Sequence, residues 1–142
     1  YHDGQDAIAE EYPTVEQIDG DLALLEKRTR AIRTYTTEDT IAEVPRLAAR
    51  HGIKVALGAW IDNRRSRNAR EVDQAVRLAR EFPNVVRVIV GNEVVLRNDI
   101  PVSELAAYLD AVRDAVKQPV STAEPWHVWL RHPELADHVD YL

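Results

Sequence analysis

Apolar and polar positions along the chain fall into blocks that change period. Short β-branched runs give way to polar loops, then to stretches with apolar residues three and four apart. Ile18, Leu22 and Leu25 share one helical face. Thr14 and Gln17 make a capping box at the head of that helix, the hydroxyl accepting from a free amide while the glutamine reaches back. Residues 31–36 read as a strand. The next helix is entered near Pro45, whose missing amide is tolerated in a first turn, and stops at His51-Gly52. Residues 54–60 form a strand, and residues 62–68 a polar loop. A helix follows with Val72, Val76 and Ala79 on one face, ended by Pro83-Asn84. Residues 85–90 are the strongest strand, an almost unbroken apolar run of the kind a parallel sheet covered on both faces requires. Val102, Leu105, Leu109, Val112 and Val116 give the clearest amphipathic stripe. Residues 119–122 read as a further strand, 133–137 as a short helix, and 139–142 as the start of one more strand.

Strands alternating with helices imply βαβ units and a parallel sheet. The repeat of about thirty residues matches the units of a barrel that takes about 250 residues for eight of them. The expected fold is α/β, a (β/α)8 TIM-barrel fragment with roughly strands two to five and their helices, the ends of strands one and six being truncated. Residues 1–142 would then be one partial catalytic domain. A doubly wound open sheet is the alternative, but neither G-x-G-x-x-G nor G-x-x-x-x-G-K occurs.

Composition narrows the function more than the fold. Hydrophobic residues make up 45% and charged residues 30%, as in a globular chain. The net charge of −6 offers no basic surface, so nucleic acid is not an expected partner. No cysteine is present, which excludes thiolate metal sites and a cysteine nucleophile. The five histidines are scattered without metal-ligand spacing, so neither metal nor cofactor is expected.

In a parallel barrel the chemistry gathers where the strands end. Here those ends carry Tyr35, Trp60, the pair Asn92-Glu93, and Glu124 with Trp126. Carboxylates, an amide and flat rings suit sugars, because rings cover apolar sugar faces while carboxylates do acid/base or nucleophilic work. Glu93 follows Val-Ile-Val-Gly, so a buried strand anchors it. A partly desolvated carboxyl there would stay protonated as a general acid. It reads equally as a capping or solvated glutamate. Glu124 reads first as a loop or ion-paired carboxylate, Trp126 as a sugar platform, and Trp129 as packing; Trp60 stays open between the two. Arg33 and Tyr35 share one side of their strand and point to substrate contact or to packing at the mouth. The run Arg64-Arg65-Ser66-Arg67 reads as a solvated loop, and Asp3, Gly4 and Gln5 as a first mouth loop if Tyr1 ends a strand.

At Val90-Gly91-Asn92-Glu93 the chain resembles glycoside hydrolase family 17, the β-1,3-glucanases and β-1,3-glucan transglycosylases, and its bacterial branch most of all. The other matching pieces are Tyr1-His2-Asp3-Gly4-Gln5, Arg33-Thr34-Tyr35, Leu57-Gly58-Ala59-Trp60 and the segment Thr122-Ala123-Glu124-Pro125-Trp126-His127-Val128-Trp129. They occur in family order across nearly the whole chain. The resemblance implies a retaining mechanism on β-glucan, with Glu93 as acid/base, Asn92 near the sugar 2-hydroxyl and Tyr35 near the nucleophile. It implies a periplasmic or cell-envelope location. The family's nucleophile is a second glutamate in a Glu-x-Gly-Trp-Pro type motif, absent from this sequence. Glu124 does not match its strand. The isolated chain is therefore expected to be inactive, with the rest of the barrel as its partner and β-glucan oligosaccharide or polysaccharide as its ligand. Open strand edges would favour self-association. The competing readings are a non-catalytic glucan-binding half-barrel and a barrel enzyme of another chemistry.

Overall fold

The first helix opens with the capping box expected of it. Thr14 is extended, its hydroxyl accepts from the Gln17 amide at 3.2 Å, and the Gln17 side chain accepts from the Thr14 amide at 2.9 Å. The computed structural model describes residues 3–6, 9 and 11–142. Tyr1, read as a strand end, and His2 lie outside the described residues. Helix α1 spans Val15–Leu25 and packs on α2, Val44–Arg50, through Ile18 and Leu22. Leu25 departs from the expected stripe: it is exposed. It lines an apolar groove of about 350 Å³ with Ile18, Leu22 and Ile32, along an edge where no described strand pairs.

Four strands follow: β1 (Ala31–Arg33), β2 (Lys54–Ala59), β3 (Val85–Asn92) and β4 (Val120–Ala123). They pair in sequence order and all in parallel, which is the barrel-wall arrangement expected for strands two to five. Helices α3 (Arg65–Glu81) and α4 (Val102–Ala115) complete the crossovers. They cover one face of the sheet, where Val55, Leu57, Val88, Val90 and Val120 are fully buried with Leu78, Leu105 and Leu109. Each such side chain contributes about 1.5–3 kcal/mol. The other face is not covered as the apolar runs suggested: Ala56 and Ile89 are half-buried there, and Arg33 and Arg87 are exposed. A barrel's inner wall has this character, since it is completed only by the remaining arc.

Three further boundaries differ from expectation. Strand β1 stops at Arg33 rather than residue 36, because the chain rises from Thr34 over Gly58. The polar loop closes early, and α3 takes in the basic run from Arg65. The cause is Asn68: its side chain accepts from the Asp62 amide at 3.0 Å and donates to the Asp62 carbonyl at 2.7 Å. Arg64 and Arg67 both pair with Asp62, so this run is not simply solvated. Residues 139–142 form no strand. They nevertheless run beside β4, with the Asp140 amide donating to the Val120 carbonyl at 2.8 Å and Ser121 Oγ to the Tyr141 carbonyl at 2.6 Å. A short helix α5, Trp126–Arg131, not foreseen, precedes the 3-10 turn Pro133–His138.

His51, at the end of α2, bridges two carboxylates of α1: Nδ1 lies 2.8 Å from Glu26 and Nε2 2.9 Å from Asp19. Its hydrogen bonds to Glu26 and then Asp19 raise its pKa, while the His51 bond, aided by Arg50 and Arg46, lowers that of Asp19. A raised histidine stabilises the fold fully below its unfolded value near pH 6.5 and loses that contribution as pH rises through the folded value. Thermal melts of the wild type and His51→Gln should therefore differ most near pH 6 and draw together as the pH rises above it. A gap that stays constant with pH would show that the bridge carries no charge.

Candidate functional site

Parallel strands place all four C-terminal ends on one rim, and β3 reaches that rim through an irregularity. Its register against β4 shifts between Ile89 and Asn92. Bulges of this kind re-aim side chains. Gly91 sits at φ +83°, and a Cβ there would meet the Val94 side chain at 2.5 Å, so only glycine fits. Glu93 then takes φ 56°, a left-handed conformation that costs a non-glycine residue about 1–3 kcal/mol and persists only where the surroundings impose it. Here the Glu93 amide donates to the Ala123 carbonyl of β4 at 2.7 Å, and its own carbonyl accepts from the Arg97 amide at 2.8 Å. The acid is thus fixed by its main chain, and its side chain is exposed. The enclosure expected for this carboxyl is not supplied by the described residues, because the four strands wall it on one side.

Around it two arginines organise the rim. Arg33 donates to Asn92 Oδ1 at 2.9 Å while its guanidinium lies 4.4 Å from the centroid of the Tyr35 ring. Arg33 at the end of β1, and Tyr35 just beyond it, are thereby joined to the end of β3. Arg97 stacks 4.6 Å from the centroid of Trp60, donates to the Ile61 carbonyl at 2.9 Å and to Asp99 at 2.7 Å, and also bonds the Asn92 carbonyl. Each contact is of cation–π or charge-assisted type. Tyr35, Trp60, Tyr12, Asp62, Arg97 and Asp99 line a cleft of about 620 Å³ on this rim. At the N-terminus of α1, Gln5 bonds Gln17 at 2.7 Å; Thr40, beyond β1, bonds the Pro13 carbonyl.

Glu124 is placed differently from the other candidates. Its carboxylate accepts from the Val95 amide at 2.9 Å and the Leu96 amide at 3.4 Å, holding the turn that follows Glu93. Burial raises its pKa, against the lowering effect of those amides and of Arg97. Trp129 is half-buried and donates to the Glu124 carbonyl at 3.1 Å. Trp126 stands 73% exposed just after β4, in a T-shaped arrangement with His127. Tyr35, Trp60 and Asn92 are therefore linked through arginines, while Trp126 stands apart on the far side of Glu93.

The sequence reading missed Arg97 and Glu71. Arg97 lies in a turn whose composition marks nothing. Glu71 sits on the inner face of α3 with Asn68, Ala75 and Leu78, and is 1% exposed. Its carboxylate accepts from Thr36 Oγ1 and from the Thr37 amide and hydroxyl at 2.7 Å each. Burial raises its pKa, and those donors oppose the rise. Among the described residues no group of three metal-ligating side chains occurs.

Residues 2–142 match the family of the BtgE/BtgC glycoside hydrolase domain. A glucan 1,3-beta-glucosidase of Schizosaccharomyces pombe is 33% identical over 77% of the chain and 37% of its own length. Glucan 1,3-beta-glucosidase BGL2 of Candida albicans is 26% identical over 80% of the chain and 42% of its own length. An active-site mutant of Rhizomucor miehei beta-1,3-glucanosyltransferase in complex with laminaritriose superposes with a TM-score of 0.80 at 26% identity, covering 96% of this chain and 52% of that one. The chain spans about half of that solved structure and less than half of the two glucosidases.

Proposed function

The chain belongs to the BtgE/BtgC glycoside hydrolase domain family, and from that premise we propose that it is the Glu93-bearing arc of a retaining β-1,3-glucan hydrolase or glucanosyltransferase. The observation that carries the reading is Asn92-Glu93 on the bulged end of β3. Glycine and a β4 carbonyl force that backbone, and aromatic rings flank it on the same rim.

Glu93 acts first as the acid. Its proton passes to the glycosidic oxygen as the bond to the anomeric carbon breaks, and a second carboxylate attacks that carbon from the opposite face. In the second step Glu93, now ionised, takes a proton from water or from an acceptor sugar hydroxyl, which displaces the carboxylate with net retention. Asn92, held by Arg33 through Oδ1, offers its amide hydrogens to a sugar hydroxyl. Tyr35, Trp60 and Trp126 cover apolar sugar faces. Glu124 serves the site by holding the turn after Glu93. Its oxygens are committed to amides, so the attacking carboxylate comes from the remaining arc of the barrel. The 142-residue chain alone is accordingly inactive, and its partners are that arc and a β-1,3-glucan, with the cell envelope as its place of work.

The test is a time-resolved proton NMR analysis of laminari-oligosaccharide cleavage by the full-length gene product. The β-anomer should appear before mutarotation, with longer oligosaccharides as well if transfer competes with hydrolysis. First appearance of the α-anomer would overturn the retaining assignment. Binding without any turnover would favour the non-catalytic glucan-binding module, a reading that the exposure of Glu93 also supports.

A further inference from the structure

Glu71 is a buried carboxyl group that no step above uses. It lies on the helical side of the wall, remote from solvent, and among the described residues no basic side chain forms an ion pair with it. A buried carboxylate of that kind is costly unless donors satisfy it. Its hydrogen-bond donors all come from the loop after β1, Thr36 and Thr37, while the main chain of Trp60, after β2, also favours its charged form. These residues bracket the aromatic pair of the cleft. Tyr35 lies between Thr34, whose hydroxyl accepts from the Gly58 amide at 3.0 Å, and Thr36, whose hydroxyl is spent on Glu71 and on the Glu38 amide at 3.1 Å. Trp60 is held at its ring by Arg97, and the loop it opens is pinned at Asp62 by Asn68 of α3.

We propose that Glu71 is a positioning residue, whose carboxylate ties the loop after β1 to α3, where Asn68 in turn holds the loop after β2 at Asp62, and so fixes the spacing of Tyr35 and Trp60 across the cleft that receives the glucan. The inference rests on the glucan reading above. A glutamine could still accept from Thr37 and donate to the Thr36 hydroxyl, and so would keep the tie. A leucine would keep the bulk but leave the Thr36 hydroxyl and the Thr37 amide and hydroxyl without an acceptor. The loops would then separate by adopting other partners, and the rings with them. Binding would weaken because the cleft must be reassembled around each ligand, whereas the chemistry at Glu93, on β3, would proceed once the complex had formed.

The experiment uses the full-length gene product and laminari-oligosaccharides. Glu71→Leu is expected to raise KM about tenfold with kcat changed less than twofold, and to weaken laminaritriose binding by the same factor in a Glu93→Gln background, while Glu71→Gln stays near the wild-type KM. Thr36→Val and Thr37→Val each remove one hydroxyl without changing side-chain shape and should move KM the same way by about threefold, which keeps the test decisive if Glu71→Leu does not fold. Leu78→Ala, two turns along the same buried face, should lower Tm while leaving KM alone. Unchanged KM in the threonine variants, or an equal shift in Leu78→Ala, would reduce Glu71 to ordinary core support and overturn the proposal. Full turnover by Glu93→Gln alone would instead defeat the underlying functional reading, so the two failures are distinguishable.

Discussion

Replacing Glu93 with glutamine is expected to slow cleavage of laminari-oligosaccharides by about 10²- to 10⁴-fold, the range that a positioned general acid contributes. The backbone at residue 93 does not depend on the carboxyl group, since its constraints are the Ala123 carbonyl and the Arg97 amide. The variant should fold with an unchanged Tm. The loss should also depend on the leaving group. A glucoside whose departing alcohol is already a weak base needs no protonation, and its first step should suffer little. The second step should recover when a small anion such as azide replaces water, because an anion needs no base to remove a proton. Uniform loss across leaving groups, without rescue, would point to damaged binding and not to a missing proton. Retention of full activity would remove Glu93 from the mechanism altogether.

Gly58→Ala should be the most damaging single methyl group on the rim. A Cβ at this position would fall 2.7 Å from Tyr35 Cα, closer still to the Thr34 carbonyl oxygen, and both are backbone atoms that cannot rotate away. Strand β2 is central and mostly buried, while β1 at the edge is largely exposed, so the strain is taken up by the segment after β1. Overpacking of this kind costs about 3 kcal/mol, or roughly 10 °C in Tm. The same displacement breaks the bond from the Gly58 amide to Thr34 and moves Tyr35, so glucan affinity should fall along with stability. Thermal melts and a laminaritriose titration read the two effects separately. A Tm within 2 °C of the wild type would show that the close approach is relaxed at no real cost.

The wall itself was legible in the sequence because its signals are local. The capping box at Thr14 and Gln17, the stop at Gly52, and the stripe from Val102 to Val112 each depend on a few neighbouring residues and on burial against one layer. The candidates at the strand ends were legible for a topological reason: parallel strands put every C-terminal end on one rim, so reading the residue after each run is enough to gather them. What eluded the sequence depends on pairs far apart in it. Glu71 looks like a surface residue of an amphipathic helix until its thirty-odd-residue reach to Thr36 and Thr37 is known. Arg67 reads as part of a solvated basic run, yet it is folded onto Asp62 and Glu38. Leu25 carries the right period and still ends exposed, because its cover depends on an edge that periodicity cannot see. Glu124, read first as a loop carboxylate and also kept among the substrate-binding candidates, turns its oxygens to amides of a turn about thirty residues away, a partner that the sequence does not name.

The amide of Glu93 hangs from a carbonyl of the next strand. For protein engineering this makes the acid's seat a joint property of two adjoining repeats, so a barrel unit carrying β3 cannot be transplanted intact into a foreign scaffold. A chimera must bring the end of β4 with it, or the graft will arrive with its acid aimed elsewhere.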